Sequence, residues 1–172
     1  MKTQKILTIS VLALISIFAS CNPPSDITTL KIISLHDAVI SDDIERLKSD
    51  ISEGAWLDLK NESGWTALHY AVVKNNPEII KLLIGAWADI NIRDEKRGQT
   101  PLHFAAMTGK KEAVGLLLTN GANRHKKDIN NKTALQLANN KTIIELLQNK
   151  KLDNKNKELN SLFLLFSYFS YY

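Results

Sequence analysis

The stretch that decides the fold is residues 98–106, GQTPLHFAA. Its Leu-His pair recurs at spacings of 33 or 34 residues, with glutamine replacing histidine in the last copy: Leu35-His36, Leu68-His69, Leu102-His103 and Leu135-Gln136. An alanine lies three residues after each of these leucines, and a threonine lies two residues before the last three of them. Features that keep one register over four copies indicate an internal repeat, in which each copy is one supersecondary unit.

The period and the recurring words resemble the ankyrin repeat family. Residues 64–71, GWTALHYA, are a second close match, and leucine- and isoleucine-rich runs follow both matches. The resemblance covers roughly residues 30–150 and implies an all-α fold. That fold is an ankyrin-repeat solenoid of stacked helix-turn-helix units with β-turn or hairpin loops, in about four copies including caps. The copies are predicted at residues 31–63, 64–97, 98–130 and 131–150.

Each copy is expected to hold two short helices that cannot bury their apolar faces alone and therefore stack on their neighbours. Thr66 is expected to cap free backbone N–H groups at the start of a first helix. Pro77 is expected in the first turn of a second helix, where its missing N–H costs nothing. In the first copy, Asp43 is placed to cap the second helix. In the third copy, Gly121 is expected to end the second helix in the left-handed conformation.

The second copy breaks the pattern at the end of its second helix. By strict register, Trp87 occupies the position that Gly54 and Gly121 hold in the neighbouring copies. A bulky residue at positive φ is strained. We therefore favour a helix that ends two residues early, at Gly85, followed by a longer loop. A positive φ at Trp87 would refute this interpretation.

The N-terminus reads as an export signal. Residues 1–20 combine two lysines, an apolar and charge-free run and small residues before Cys21, which is typical of a secretory signal peptide. A transmembrane helix is the alternative, but the run is too short for one. Residues 18–21, FASC, resemble the lipobox of bacterial lipoproteins, in which the cysteine is lipidated and the chain is cut before it. Phe18 stands where leucine is usual, so secretion with a free thiol stays open.

This resemblance predicts a signal peptide at residues 1–20, a lipidated Cys21 and a tether at residues 21–29. The protein is then expected in the bacterial cell envelope, anchored to a membrane whose leaflet the sequence does not give. Residues 151–172 form a polar linker and an apolar aromatic tail of unknown role. The tail could pack on the last repeat, contact a membrane surface or have no selected role.

The sequence offers no catalytic or cofactor motif. It has no Ser-His-Asp set, no glycine-rich phosphate loop and no HExxH word, so we expect no enzyme and no cofactor. The single cysteine excludes an intrachain disulfide.

His36, His69 and His103 are the histidine of the repeat. In the ankyrin family this residue hydrogen-bonds to the backbone between copies, so we expect no metal site. His125 is expected to be solvated. Without residues 1–20, which hold two lysines and no acid, the formal net charge falls from +4 to +2, and a dedicated nucleic-acid binder is usually more basic than that.

The resemblance also implies a set of partner-binding residues. In the ankyrin family these positions flank the repeat glycine and follow the alanine pair. Carried over by register they are Glu62, Ser63, Trp65, Val73, Lys74, Lys96, Arg97, Gln99, Met107, Thr108, Asn130 and Lys132. Trp65 is the most prominent, because tryptophan is frequent among interface hot spots. Packing of Trp65 against its own hairpin is the alternative, and Trp56 and Trp87 are expected to be packing residues.

These observations predict a non-catalytic, monomeric protein-protein interaction module that uses its turn tips and the concave face of its helices. One alternative is an inhibitor or immunity-like protein that blocks a toxin or an envelope enzyme. Another is a protein that binds the membrane surface through the basic hairpin at residues 124–127 and the C-terminal tail. The charge distribution permits that last alternative, since residues 21–100 hold 9 basic and 13 acidic residues while residues 101–172 hold 11 and 5. A solvated hairpin without such a role is the plainer interpretation.

Overall fold

The computed structural model describes residues 35–149, and within that range it forms four consecutive pairs of short helices. No β-strand is present in this part of the chain, where Lys127 and Thr133 form an isolated antiparallel bridge. The helices are α1 (35–40), α2 (Ile44–Ser52), α3 (Ala67–Lys74), α4 (Pro77–Gly85), α5 (Pro101–Met107), α6 (Lys111–Thr119), α7 (Ala134–Leu137) and α8 (Lys141–Gln148). The predicted all-α repeat fold is confirmed. The predicted signal peptide, tether and tail lie outside the described residues.

The first helix of copies two, three and four begins with a reciprocal cap between a threonine and the residue three positions later. Thr66 donates its backbone N–H to Nδ1 of His69 at 3.2 Å. Thr100 donates in the same way to Nδ1 of His103 at 3.1 Å. In the fourth copy the acceptor is Oε1 of Gln136, at 2.9 Å. The repeat histidine therefore does what glutamate or glutamine does in a capping box, so helix initiation depends on the Thr-x-x-His word.

The second helix of three copies begins at an Asp or Asn cap. Asp43 accepts a hydrogen bond from the backbone N–H three residues on at 3.0 Å, which confirms its predicted role. Asn76 and Asn140 cap α4 and α8 in the same way. Pro77 occupies the first turn of α4, as predicted. In the third copy Lys110 holds the capping position and makes no side-chain cap.

The core runs without interruption through the described copies. The inner side of the first helices contributes Leu35, Leu68 and Leu102, each at most 1% exposed. Ala71 and Ala105 are fully buried, and such small side chains let consecutive first helices approach closely. The second helices bury Leu47, Ile79, Ile80, Leu83, Val114, Leu117, Ile143 and Leu147. Since full burial of one such side chain contributes about 1.5–3 kcal/mol, the stack is held together mainly by contacts between copies.

The interpretation that the second helix of copy two ends early and is followed by a longer loop is wrong. The helix does end at Gly85, but Trp87 has a φ of +72° and takes the position of the repeat glycine. In copies one and three, Gly54 at +80° and Gly121 at +89° likewise lie two residues beyond the end of their helices. The loop in copy two is therefore not longer, and the register of the repeat is kept.

Packing explains why the repeat register is kept although tryptophan disfavours the positive φ that Trp87 adopts. Ala88 follows Trp87 and is only 7% exposed, and Ala122 fills the matching position in the next copy at 6%. The N–H of Trp87 donates to the carbonyl of Ile84 and that of Ala88 to Leu83, both at 3.0 Å, which closes the helix end. A shifted turn would withdraw Ala88 and its neighbours from the core. The indole of Trp87 is 79% exposed and Trp56 is 55% exposed, so the prediction that both are packing residues is wrong.

Candidate interaction surface

Successive copies are joined by tight loops that we name the first finger (58–65), the second finger (91–99) and the third finger (125–132). One Asn or Asp organises each loop by accepting backbone N–H groups within it. Asn61 Oδ1 accepts from Ser63 and Trp65, both at 3.0 Å. Asp94 accepts from Arg97 and Gln99, and Asp128 Oδ1 accepts from Asn130 and Lys132. The tips of the fingers therefore have a fixed backbone before any partner binds.

The fingers are also packed against one another. Gly64 lies so close to the second finger that a Cβ on it would lie 2.5 Å from the backbone nitrogen of Glu95. The backbone N–H of Ile129 donates to the carbonyl of Arg97 at 2.9 Å, which joins the third finger to the second. Gly98, at a φ of +63°, leaves room there for the side chains of Arg93 and Ile129. The three fingers form one continuous edge.

The repeat histidines tie the first helices of copies one, two and three to the next finger. His36 Nε2 lies 3.0 Å from the carbonyl of Trp65. His69 Nε2 lies 3.3 Å from the carbonyl of Gln99. His103 Nε2 lies 3.2 Å from the carbonyl of Lys132. This confirms the expected hydrogen bonds between copies.

The protonation of these histidines follows from their partners. In His69 and His103, Nδ1 accepts the threonine N–H, so the ring proton is on Nε2, which donates to the carbonyl. Burial lowers the pKa of His69 to about 4, against the opposing effect of its bond to the Gln99 carbonyl. Burial also lowers the pKa of His103. Both rings are neutral at physiological pH and serve as structural clamps.

Most of the predicted partner-binding residues are accessible. Those exposed at finger tips or at the end of α5 are Glu62, Lys96, Arg97, Thr108, Asn130 and Lys132. Those partly buried are Ser63, Val73 and Met107. Lys74 is exposed but bonded to the first copy, since its Nζ lies 2.7 Å from Asp42 Oδ2 and also donates to the carbonyl of Ile40. Two further residues, Gln99 and Trp65, are placed differently from the prediction.

Gln99 is not on the surface. Its side chain is buried, with 3% of the residue exposed, and its Nε2 donates to Oδ2 of Asp128 at 3.3 Å. The register aligns Gln99 with Lys132, whose side chain is exposed, so position in the repeat did not reveal that the amide turns inward. Gln99 connects the second finger to the third and is removed from the predicted contact set.

Trp65 packs between copies rather than projecting from a turn. Its ring meets the edge of Tyr70 at a centroid distance of 5.0 Å and that of Phe104 at 4.9 Å. It also stacks on His69 at 6.1 Å. Such aromatic pairs contribute about 0.5–1.5 kcal/mol beyond their buried area. The structure thus favours the packing alternative, with α3 and α5 as the surfaces that Trp65 joins.

Ile129 is an exposed tip residue that the sequence analysis missed. It lies in the third finger and is 64% exposed. The spacing of the Leu-His pairs aligns it with Glu62 of the first finger and Lys96 of the second. An isoleucine where the other copies have a charged side chain was the signal that could have identified it.

Two acidic side chains of the second and third fingers, those of Asp94 and Asp128, face inward, whereas Glu95 and four basic side chains face outward. Asp94 and Asp128 are 4% and 5% exposed and accept backbone N–H groups. Burial alone would raise the pKa of Asp128, but hydrogen bonds from the N–H groups of Lys132 and Asn130 and from Gln99 outweigh it and lower the pKa. Lys96, Arg97, Lys127 and Lys132 are exposed. The outer edge of these fingers is therefore basic.

The basic hairpin at residues 124–127 is less available than predicted. Arg124 is 8% exposed, and its Nη1 donates to the carbonyls of Leu147 at 2.7 Å and Asn149 at 3.2 Å, which caps α8. Lys126 Nζ donates to the carbonyl of Asn91 at 2.9 Å. His125, predicted to be solvated, is exposed, as is Lys127. Two of the hairpin's cations thus belong to the internal structure.

Within residues 35–149 no helix is long and apolar enough to span a membrane.

Comparison with known proteins places these features in a family. A family model described as ankyrin repeats (3 copies) matches residues 14–94, 35–123 and 73–160. The chain is 37% identical over 115 residues to NF-kappa-B inhibitor alpha of Homo sapiens, a match that covers 63% of this chain and 35% of that protein. It is 52% identical over 59 residues to protein phosphatase 1 regulatory subunit 12A of Mus musculus, covering 34% of this chain and 6% of that protein. The matches span about a third or less of these relatives.

A solved structure agrees with the sequence matches. The crystal structure of the ankyrin repeat domain of Bcl-3, which its title calls a unique member of the IkappaB protein family, superposes with a TM-score of 0.65 at 29% identity. The match covers 67% of this chain and 50% of that chain.

Proposed function

The chain belongs to the ankyrin repeat family, and from that premise we propose that it is a non-catalytic module that binds a protein partner through its finger tips. The observation that carries the proposal is the fixed edge formed by the three fingers, whose backbones are held by Asn61, Asp94 and Asp128 while their tips stay exposed. A pre-organised surface loses little conformational entropy on binding. The relatives named as an inhibitor and as a regulatory subunit support the same class of function.

The proposed contacts are the exposed residues of the predicted set at the finger tips and at the end of α5, together with Ile129. They are Glu62, Lys96, Arg97, Thr108, Ile129, Asn130 and Lys132. The set combines one large apolar side chain with charged neighbours, which is the usual arrangement of an interface centre and its rim.

Chemical crosslinking and capture from the source cell's envelope tests this function. The baits are the full chain, the tip variant Lys96→Ala/Arg97→Ala/Ile129→Ala and the matched control Ile40→Ala/Lys111→Ala/Lys141→Ala, whose residues are exposed outside the fingers. We expect one protein to be retained by the wild type and the control and lost by the tip variant. Equal recovery by all three baits would place the interface elsewhere. Circular dichroism confirms that each bait is folded.

We further propose that the module is exported and held on a membrane of the bacterial envelope by a lipid on Cys21. The support is the charged, apolar and small-residue order of residues 1–20 before the cysteine. Two acyl chains or more are needed for stable anchoring. Mass spectrometry of the mature chain is expected to show a lipidated N-terminal Cys21, and Cys21→Ser to release the protein from membranes. An unmodified thiol would contradict the anchor.

An inhibitor-like role is the second candidate, and the name of the relative NF-kappa-B inhibitor alpha favours it. In this role the same finger edge would cover the active surface of a toxin or an envelope enzyme. The role requires tight binding and a rescue phenotype. Deletion of the gene is expected to expose the cell to the inhibited protein, and no change in growth on deletion would contradict the role.

A further inference from the structure

The described stack is divided into two oppositely charged halves. Residues 35–92 hold 5 Lys and Arg against 10 Asp and Glu, a net charge of −5. Residues 93–149 hold 10 against 5, a net charge of +5. The boundary lies in the second finger, so the finger edge itself changes sign along its length. A partner bound along this edge would therefore meet an acidic end and a basic end.

The cations of the basic half are concentrated on the second and third fingers and lack counterions there. Ion pairs within residues 35–149 include Lys48 with Glu45, Lys60 with Glu95 and Lys74 with Asp42. None of these pairs includes Lys96, Arg97, Lys127 or Lys132. The acids of the same fingers are already used, since Asp94 and Asp128 are buried against backbone N–H groups and Glu95 faces Lys60 at 3.7 Å.

Ile129 lies among these cations. It is 64% exposed, its N–H is bonded to the carbonyl of Arg97 at 2.9 Å, and its Cγ2 would lie 3.1 Å from a Cβ on Gly98. Its backbone position is thus fixed directly beside the second finger. An exposed apolar side chain on a fixed backbone, on the same two fingers as these unpaired cations, resembles an interface centre with a charged rim.

We propose that the occupant of the second and third fingers is an acidic segment of another protein that carries a large apolar side chain. Its carboxylates pair with Lys96, Arg97 and Lys132, and its apolar side chain covers Ile129. The proposal rests on the protein-binding function proposed above and names the chemistry of the partner. The acidic first half of the stack, with Glu62 on the first finger, repels the same segment and so fixes where and in which direction it binds.

The charge pattern favours a protein segment over an extended polyanion. A nucleic acid or an anionic membrane presents negative charge over a long surface and would meet the net charge of −5 in the first half. Arg124, just before the third finger, and Lys126, within it, are bonded to backbone carbonyls and add little to such a surface. A short acidic segment needs only the two fingers.

Selection of short random peptides on the immobilised full chain tests the chemistry without a known partner. The enriched peptides are synthesised, and their binding is measured by fluorescence anisotropy. We expect them to combine net negative charge with at least one large apolar residue. Raising the salt from about 0.05 to 0.5 M is expected to weaken binding strongly, because exposed charges are screened.

Two charge-reversal variants locate the contact. Lys96→Glu/Arg97→Glu and the control Lys111→Glu/Lys141→Glu change the net charge by the same amount, and the control residues are exposed at the starts of α6 and α8. We expect the finger variant to bind the selected peptides more than about tenfold more weakly and the control to bind as the wild type does. Ile129→Ser is expected to weaken binding about tenfold, which matches loss of one apolar contact.

Several results would overturn the inference. They are enrichment of neutral or basic peptides, equal loss in the two charge-reversal variants, an Ile129→Ser variant that binds normally, or no enrichment at all. Binding of vesicles containing phosphatidylserine, lost in the finger variant, would assign the cations to lipid and overturn it too. The envelope capture experiment tests the protein-binding function separately. The tip variant used there would lose any partner that binds the fingers, whatever the charge of that partner.

Discussion

Trp65 and Trp87 show how the same residue type takes opposite roles at two places of one stack. Trp65 is the last residue of the first finger, and its ring is packed between copies against Tyr70 and Phe104. Trp87 lies two residues beyond the end of α4, has a φ of +72° and is 79% exposed. At both positions the repeat register fixes the backbone conformation. The backbone sets the direction of the Cα–Cβ bond, and that direction decides whether the tryptophan side chain packs in the core.

The largest expected effect comes from removing the packed tryptophan. Trp65→Ala should lower the free energy of unfolding by about 3 kcal/mol, since a partly buried ring and its aromatic contacts are lost. Trp87→Ala should change it by less than about 0.5 kcal/mol. Urea denaturation of the two variants measures both values. A similar loss in both would contradict the contrast between them.

The pH dependence of stability tests the structural role of His69, which stacks on Trp65. The pKa of His69 is lowered to about 4 in the folded state, so the unfolded state binds the proton first as the pH falls below its ordinary pKa. Stability is therefore complete above about pH 6.5 and should fall by about 3 kcal/mol as the pH approaches 4.

A matched variant tests whether His69 causes this loss of stability at low pH. His69→Gln copies the cap that Gln136 already makes in the fourth copy and removes the titrating ring. Thermal unfolding between pH 4 and 7 should then show a smaller slope, with the remainder coming from groups such as His103, whose pKa burial also lowers. An unchanged slope would exclude His69 as the source.

Trp87→Gly should stabilise the protein. Glycine adopts positive φ without the cost of about 1–2 kcal/mol that other residues bear, and its greater freedom in the unfolded chain offsets part of the gain. We expect a net gain of about 0.5–1 kcal/mol in urea denaturation. The reverse exchange, Gly121→Trp, should lose a similar amount. Destabilisation by Trp87→Gly would mean that the indole contributes to the fold.

The smallest effect on stability is expected at the finger tips. Ile129→Ser should change the free energy of unfolding by less than about 0.5 kcal/mol, because exposed side chains without structural partners contribute little. Urea denaturation beside Trp65→Ala checks this value. A loss above about 1 kcal/mol would show that Ile129 supports the packing of the fingers instead of offering a contact.

The sequence was sufficient for what depends on period and on local chemistry. The spacing of the Leu-His words predicted the helix pairs, and the Asp43 cap, the place of Pro77 and the hydrogen bonds of the repeat histidines followed from it. Side-chain direction within a loop was not encoded in the same way. Gln99 turns inward because Asp128 of the next finger accepts its amide, a contact 29 residues away.

The candidate site was predicted less well for the same reason. Arg124 reads as part of a solvated basic run, yet it caps a helix 23 residues further on. Trp65 reads as exposed because the turn residues around it are polar, but the packing of two neighbouring copies covers it. Ile129 was missed because family register was used to choose the positions. Contacts between copies, which a single repeat does not contain, decided these cases.

The most direct test of the central claim places a photo-reactive amino acid at either of two positions of the full chain. One variant carries it at Asn130 on the third finger, and the other at Trp87 in the turn that follows α4, both exposed. After irradiation in the source cell, we expect Asn130 to give a discrete adduct with another protein and Trp87 to give none. An adduct from position 87 alone would contradict the claim that the partner binds the fingers.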